Sequence, residues 1–383
     1  MPTTLIALAF ANFAMGTGFL LISGVLPEIA ASLGVSLAAA GQLSTIYAIA
    51  FAVGAPILVA LTARAERRSA LFIGMALVAA GTLASALAPN YWVLLAARIL
   101  TALGTGLAAP TAYAIGVSLV PAERTGRAIA IIFAGMTAAQ VAGMPFTTFL
   151  AQSVGWRGSL GLVVGLLLIA NLVLAIKVPR GIHLPVPTRA SWIELMGDRD
   201  LLSSHAVIGV LYTGQFMAFA YIAPYLRASA HVGAGGLSLM LFWMGLAALG
   251  GSLVMGRVVD RFGARIVLLA SINVIAVTIF ALPATGWGWP SALIVLALWG
   301  SFGYGVNVAQ QARVVALAPH ATNVALALNT ASLYLGQAFG AGLGGFVIDH
   351  AGLGALSWVG AAVILASLAI LILGARPEGR LPA

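Results

Sequence analysis

The sequence predicts an all-α membrane protein with twelve transmembrane helices in two pseudo-symmetric six-helix bundles. Hydrophobic residues make up 62% of the 383 residues and charged residues only 7%, whereas a soluble domain carries about 25% charged residues. Apolar windows long enough to cross a bilayer recur along the whole chain, and one residue pattern returns after 197 positions. A duplicated membrane unit is typical of transporters that work by alternating access.

Each predicted helix is a window of about 20 mostly apolar residues, which is the length that crosses about 30 Å of hydrocarbon. The first window follows Met1 without a preceding Lys or Arg and shows no cleavage site, so we expect a retained helix rather than a signal peptide. In chain order the windows are 5–26, 40–62, 70–88, 92–114, 128–150, 159–177, 203–225, 236–256, 266–284, 291–312, 323–347 and 354–374.

The internal repeat is clearest in two loop segments between predicted helices. The segment 256–265 reads GRVVDRFGAR, and the segment 59–68, VALTARAERR, has arginines at two matching offsets. A shift that holds over most of the chain indicates two copies of one structural unit. The same shift of 197 positions pairs Gly54 with Gly251, Gln140 with Gln337, Gly143 with Gly340 and Gly155 with Gly352.

The repeat divides the chain into an N-terminal bundle at 1–178, a cytoplasmic linker at 179–200 and a C-terminal bundle at 201–383. The linker is the longest polar stretch. A short interfacial helix around Trp192 is compatible with its composition. We interpret the linker as a tether, with a regulatory module as the alternative.

The formal charge of +9 is distributed by side of the membrane rather than gathered into a patch. Arg157 and Arg227 fall in loops on the outer side, and Arg98 falls within a span. By the positive-inside rule, both termini are expected in the cytoplasm, with the chain in the inner (plasma) membrane. The basic residues are therefore topology signals, and we expect no nucleic-acid binding. The inner-side set is Arg64, Arg67, Arg68, Arg124, Arg127, Lys177, Arg180, Arg189, Arg199, Arg257, Arg261, Arg265, Arg313, Arg376 and Arg380.

Four short motifs carry a resemblance to a known family. They are Gly256-x-x-x-Asp260-Arg261-x-Gly263-x-Arg265, Arg98 followed by Gly104 and Gly106, Gly143-Met144-Pro145, and the run 327–336 with the Gly-rich stretch after it. The first three resemble the loop signature, the Arg-and-glycine motif and a shortened antiporter motif of the major facilitator superfamily. The fourth resembles the drug, sugar and purine-nucleoside exporters of its proton-antiporter branch.

The resemblance implies the major facilitator fold, alternating access and a set of gating or coupling residues. In the loop motif, an Asp can accept from amides at a helix N-terminus or pair with Arg; the alternative is that the arginines only anchor the cytoplasmic face. The first copy has Ala63 and Glu66 where the family has Asp and Gly. We call contacts that hold one conformation of the cytoplasmic side closed a latch, and this difference weakens the expectation of a latch in the first loop unless Glu66 reshapes the turn. The set is Arg64, Arg68, Arg98, Gly143, Pro145, Gly256, Asp260, Arg261, Gly263 and Arg265.

Arg98 is a charged residue about one and a half turns inside the fourth predicted span. An isolated charge in a membrane usually faces a cavity or a partner, and the resemblance places Arg98 in the coupling machinery. The alternative is that the side chain extends to the outer interface.

Two small-residue patterns concern helix geometry. Ser332, Gly336, Gly340 and Gly344 recur every four residues, which predicts close helix packing. Pro145 lacks a backbone donor and can kink the fifth span. The resemblance adds a sealing role for Gly143 and Pro145.

Polar and aromatic residues at helical spacing predict the lining of a solute site near the membrane midplane between the halves. Interhelical hydrogen bonds are the alternative for each of them. The candidates are Asn12, Thr17, Tyr47, Arg98, Gln140, Tyr212, Gln215, Phe219, Tyr304, Asn307 and Gln311.

None of the nine acidic residues lies near the middle of a span. Selectivity for cationic drugs is therefore not expected, and amide and aromatic groups with one Arg suit neutral, polar or weakly anionic solutes. Proton coupling lacks an obvious carboxylate. Glu28, at the outer end of the first span, is the nearest one, and full proton-driven transport by an E28Q variant excludes that role.

Other classes of chemistry find no support. The chain has no cysteine, its five histidines have no ligand spacing, and no phosphate-binding loop is present, so we expect no metal, cofactor or ATP hydrolysis. We predict a monomeric secondary transporter, not an enzyme, that exports a small neutral or polar organic solute in exchange for protons, with membrane lipid as its other partner. The alternatives are a proton-independent facilitator, an uptake carrier and a transporter-derived receptor.

Overall fold

The computed structural model describes residues 2–121, 124–182, 197–318 and 322–374. Most of the predicted linker, including the interfacial helix around Trp192, lies outside the described residues. So do Arg189, Arg376 and Arg380 among the basic residues that predict topology.

The described residues are helical almost throughout. The helices before the linker are α1 Pro2–Gly24, α2 Leu26–Leu33, α3 Leu37–Leu61, α4 Arg67–Ala86, α5 Tyr91–Ser118, α6 Thr125–Ala138 and α7 Met144–Lys177, with a π-helical segment Ala139–Gly143 between the last two. The helices after the linker are α8 Arg199–Phe219, α9 Ile222–Ala230, α10 Ala234–Phe262, α11 Ala264–Phe280, α12 Trp289–Leu317, α13 Thr322–Ala351 and α14 Ala355–Leu373, with a 3₁₀ turn Leu282–Trp287 before α12.

Nine helices in the described ranges are long and apolar enough to span a membrane, or ten if α8 and α9 form one broken span. Relative to the count of ten, two of the twelve predicted spans are missing because of their geometry. The first is lost because Thr125–Lys177 counts as one stretch of 53 residues, although the non-helical Gly155 lies within it, between two predicted spans. Helix α11 is the other, because it has only 17 residues.

The first and seventh predicted spans are not continuous helices, and this corrects the sequence analysis. Span 5–26 ends in a break before α2, and span 203–225 bends by 51° between α8 and α9. Pro27 and Pro224, 197 positions apart, lie just after the two breaks. Because proline has no N–H and its ring crowds the preceding turn, each one interrupts its span.

The repeat also appears in backbone conformation. Gly155 and Gly352 both have left-handed φ angles, of 72° and 81°. Gly34 after α2 and His231 after α9 have φ of 64° and 50°. A non-glycine residue rarely adopts this region, so the corresponding turn is retained even where the second copy has a histidine.

The described chain forms two compact units. The first contains the described residues up to 182 together with Tyr221–Gly245. The second contains the described residues 197–220 and those from Leu246 onward. Helix α9 and the first part of α10 therefore belong to the first unit, although the predicted bundle boundary by sequence is 201.

Backbone contact without intervening side chains joins α4 to α5 in the first unit. A Cβ on Gly104 would lie 2.5 Å from the amide nitrogen of Val78, and one on Gly74 would lie 2.7 Å from that of Ala108. In lipid, helices associate by such close packing of small residues.

The second unit uses the predicted glycine pattern of α13 in the same way. A Cβ on Gly336 would overlap the carbonyl oxygen of Gly209, and one on Gly340 would lie 2.9 Å from Cβ of Phe216. The packing role predicted for these two glycines is confirmed, since they fix α13 against α8.

Many large apolar side chains point outward. Leu61, Trp92 and Leu373 are 76%, 74% and 85% exposed. A water-soluble protein rarely exposes so many, and a lipid-facing surface accounts for them.

Candidate functional site

Arg98 lies in the interior of the first unit, on α5. Its side chain is only 2% exposed, and its guanidinium carbon lies 4.4 Å from the ring centroid of Tyr47 on α3. The Tyr47 ring in turn contacts Phe19 of α1, with centroids 4.9 Å apart. The alternative that Arg98 extends to the outer interface is wrong, because its head group is enclosed by α1 and α3.

The guanidinium of Arg98 has few hydrogen-bond partners. One terminal nitrogen lies 3.5 Å from the carbonyl oxygen of Gly18, while Nε and the other terminal nitrogen have no partner among the described residues. A buried unpaired donor is unfavourable, and such a feature marks functional sites in membrane proteins. This arrangement is what distinguishes Arg98 from an ordinary structural arginine.

Three further candidates in the first unit lie where α1 meets α6 and the π-helical segment. The Asn12 amide donates to the carbonyl of Ile132 at 3.3 Å, and the Thr17 hydroxyl donates to Phe13 at 2.8 Å. A Cβ on Gly143 would lie 3.0 Å from Cβ of Thr17, so Gly143 lets this segment approach α1. Asn12 and Thr17 engage backbone carbonyls, as the hydrogen-bond alternative predicts.

The kink predicted at Pro145 takes the form of a π-helix. Ala139–Gly143 is π-helical, and Gln140 within it is buried. Proline crowds the carbonyl four residues earlier, and the wider π turn relieves that contact. π-Bulges of this kind are frequent at functional sites.

The second unit brings four predicted residues and one unpredicted residue into a neutral cluster. The amide of Asn307 on α12 donates to the Tyr212 hydroxyl on α8 at 2.6 Å. The indole of Trp299 donates to the Gln215 side-chain oxygen at 3.3 Å. We call Tyr212, Gln215, Phe219, Trp299 and Asn307 the amide–aromatic cluster.

Phe219 completes this cluster through an edge-to-face contact with Trp299, at a centroid distance of 6.2 Å. The side-chain nitrogen of Gln215 is buried without a partner among the described residues. That donor, next to aromatic faces, gives the cluster the chemistry to bind an uncharged polar group. Sequence analysis missed Trp299, although it lies eight residues before Asn307, two turns away on the same helix.

Tyr304 and Gln311 are the other candidates on α12. Tyr304 is half-buried and its carbonyl accepts from Asn307, while Gln311 is exposed. The neighbouring Gln310 is the buried glutamine, and it donates to Asn329 of α13 at 2.9 Å and to the Ser204 carbonyl of α8 at 2.9 Å. A role for Gln311 in solute binding stays a prediction.

The first loop motif is organised by Glu66. Its carboxylate accepts from the Ser69 hydroxyl at 3.0 Å and from the Gly181 amide at 2.6 Å. Arg68 donates to the Ala175 carbonyl at 2.8 Å, while Arg64 is exposed. The loop before α4 is therefore tied to the end of α7, so Glu66 has a structural contact in place of the family's glycine.

The second loop motif keeps its glycine turn. Gly263 has φ of 81° and connects α10 to α11. Asp260 and Arg261 are exposed, and Gly256 has open space around it. Arg265 is half-buried, and its Nε has no partner among the described residues. A latch through this loop stays a prediction.

Glu28, predicted at the outer end of the first span, and Arg227, predicted in an outer loop, form an ion pair. Both are in helices, α2 and α9, and their side chains are 28% and 27% exposed. Arg157 is also helical: it lies 4.2 Å from the Trp156 ring and donates to Ala88 at 2.9 Å. Within the described ranges, no group of three or more metal-ligating side chains occurs.

The sequence is similar to known transporters of one superfamily. The family model of the Major Facilitator Superfamily matches residues 8–319 and, in a second match, residues 205–382. The chain is 32% identical to the MFS-type transporter YbcL of Bacillus subtilis, over 97% of this chain and 96% of that one.

Two further relatives have more specific names. The chain is 32% identical to the inner membrane transport protein YdhP of Escherichia coli K12, over 96% of this chain and 94% of the other. It is 31% identical to a probable sugar efflux transporter of Helicobacter pylori G27, over 90% of this chain and 88% of the other.

A solved structure resembles the fold at low sequence identity. It is the crystal structure of a bacterial homologue of the human lysosomal transporter Spinster, with a TM-score of 0.71, 17% identity and coverage of 97% of this chain and 94% of that chain. The predicted all-α polytopic fold class is confirmed.

Proposed function

The chain belongs to the major facilitator superfamily, and from that premise we propose that it exports a small neutral or polar organic solute by alternating access, in exchange for protons. The family consists of multi-pass membrane transporters of small molecules and not of enzymes. Drug-, sugar- and nucleoside-like solutes are the proposed substrate class, and the proposed location is the inner membrane with both termini in the cytoplasm.

The amide–aromatic cluster carries the proposal about the solute. Its polar atoms are a phenol, two amides and an indole, and none of them is charged. Sugars and nucleosides present hydroxyl groups and either ring faces or apolar edges, which match amides and aromatic rings. Among the described residues of this cluster there is no carboxylate to hold a cation, which favours an uncharged solute over a cationic drug.

Interruption of the first and seventh spans supports alternating access. Breaks at corresponding positions in the two copies of a transporter repeat are the best sequence-level indication of its binding region. In this chain one residue separates α1 from α2, and two residues separate α8 from α9. The name of the Helicobacter relative, a probable sugar efflux transporter, supports the direction of export.

Proton flux in inverted membrane vesicles with an acidic interior tests the proposal. We expect solute-dependent proton release with one class among sugars, nucleosides and neutral antibiotics, and none with lipophilic cations. Solute counterflow in liposomes without any solute-dependent proton release contradicts antiport and supports a facilitator. Solute binding without counterflow supports a receptor.

A pair of asparagine variants tests the cluster itself. Replacing Asn307 with Ala removes the donor to Tyr212, and we expect the KM for counterflow to rise about tenfold, as for loss of one buried hydrogen bond. Asn273→Ala is the matched control, because Asn273 is exposed and donates only to Leu269 of its own helix. An unchanged KM in N307A contradicts the assignment of the cluster.

A further inference from the structure

His205 is a buried titratable residue outside the amide–aromatic cluster. It lies in the second turn of α8 and is 7% exposed. Its Nδ1 lies 2.6 Å from the carbonyl oxygen of Leu201 in the same helix. Its Nε2 lies 3.1 Å from the carbonyl oxygen of Ala325, in the first turn of α13.

Both ring nitrogens therefore face groups that can only accept a hydrogen bond. A neutral imidazole has one N–H, whereas the imidazolium ion has two. The ring can donate to both carbonyls only when it carries the second proton. In the neutral ring, one nitrogen lone pair is directed at a carbonyl oxygen and that hydrogen bond is lost.

The surroundings of His205 are apolar or neutral. A cluster of Leu201, Val314, Ala318, Val324 and Ala325 includes both of the residues whose carbonyls it contacts. The nearby polar contacts are those of Gln310 with Ser204 and Asn329, all uncharged.

Charged groups on the helices that pack against α8 are few. Helix α14 has none among its residues, and those of α13 lie at its far end. The described charged or titratable groups are Asp198, Arg199 and Asp200 at the start of α8, Arg313 on α12, Arg265 on α11, Asp349 and His350 on α13, and the tyrosines Tyr212 on α8, Tyr304 on α12 and Tyr334 on α13.

We propose that His205 is a proton-binding site, in which protonation of the ring fastens the start of α13 to α8 and deprotonation releases it. The proposal rests on the proposed proton antiport and supplies the residue that none of the nine acidic side chains provides. No covalent change is involved beyond the N–H bond, because the proton comes from water and returns to water.

The geometry connects this site to the amide–aromatic cluster. Tyr212 follows His205 by seven residues, two turns along the same side of α8, or about 10 Å. Asn307 binds Tyr212, and Gln310, one turn further along α12, binds Ser204 beside His205. A solute that competes for Asn307 therefore acts on α8, which carries the histidine, and on α12, whose Gln310 joins α8 to α13.

The first measurement uses the wild-type protein and no solute. Nitrogen NMR of histidine-labelled protein in detergent distinguishes protonated from unprotonated ring nitrogens. We expect a state of the His205 ring in which both nitrogens are protonated and each donates to its carbonyl oxygen, because both nitrogens lie within hydrogen-bond distance of one. His350 is the internal control, since it is exposed and only its Nδ1 contacts a carbonyl, that of Phe346 at 2.8 Å.

The second measurement uses the variants H205Q and H350Q with the solute that gives counterflow. The ratio of protons released in vesicles to solute exchanged in liposomes should fall at least about tenfold in H205Q and stay at the wild-type value in H350Q. If H205Q does not fold, the His205 signal of the wild-type protein is assigned by elimination, from the spectra of variants of the other four histidines.

The outcomes separate the two proposals. A His205 ring with one unprotonated nitrogen at every pH at which the protein stays folded, or an unchanged ratio in H205Q, overturns the proton-binding site. Counterflow without proton release in the wild type overturns the antiport, and the protonation state of His205 then decides alone whether the site exists.

Discussion

Replacement of Arg98 with Met is expected to abolish transport without destabilising the protein. Two of the guanidinium nitrogens are buried without partners among the described residues, and each unsatisfied donor costs about 1–3 kcal/mol. The contact with Tyr47 returns about 2 kcal/mol for a desolvated cation over a ring. The balance predicts that the free energy of unfolding in R98M is unchanged or higher by up to about 4 kcal/mol.

Unfolding in mixed micelles and counterflow in liposomes measure the two effects separately. Arg157→Met is the control, because Arg157 also lies over an aromatic ring but donates a 2.9 Å hydrogen bond to Ala88. R157M should lose about 1 kcal/mol and keep its transport. If R98M unfolds more easily than wild type by over about 2 kcal/mol, Arg98 is a structural residue and the reasoning fails. Transport by R98M at the wild-type rate also contradicts the reasoning.

Two other predictions concern helix packing and the outer ion pair. Gly104→Ala should lower the free energy of unfolding by about 1–3 kcal/mol, because the added Cβ meets the Val78 backbone. Gly161→Ala is the control and should be neutral or stabilising, because Gly161 has open space around it. Equal effects of the two substitutions contradict the packing argument. Arg227→Glu should destabilise by about 1 kcal/mol, the upper value for an exposed pair, because it opposes Glu28 with a like charge. The double variant with Glu28→Arg should recover most of that loss, and additive losses show that the pair does not interact.

The sequence predicts helices better than it predicts where they break. Twelve apolar windows correspond to helical segments, because bilayer thickness fixes their length. The windows could not locate the breaks before α2 and α9, because hydropathy is insensitive to a missing backbone donor. Pro27 and Pro224 at the repeat spacing were the available signal.

The candidate site was predictable by residue type but not by partner. Tyr212, Gln215, Phe219 and Asn307 follow from helical spacing, and all four make contacts in the amide–aromatic cluster. Periodicity gives a face of one helix, and it does not give the rotation of that helix against the next. For this reason it selected Gln311 on α12 over the adjacent Gln310, which is the buried one.

Contacts of His205 could not be read from the sequence for a different reason. Its partners are backbone carbonyl oxygens, one of them 120 positions away, and every residue has such a group, so no motif records them. Only the approach of two helices makes a particular carbonyl into a partner.

The repeat separates what duplication retains from what function changes. Backbone irregularities recur at the 197-residue spacing in the two proline-linked breaks and in the left-handed turns at Gly155 and Gly352. Side-chain chemistry recurs only in part: the position matching Arg98 is Val295, and the position matching Gly263 is Glu66. The proposed alternating access uses similar bending in both halves, which constrains the geometry twice, whereas it needs a given charged group only once. The positions where the two copies differ in charge are therefore the first places to seek the chemistry of transport.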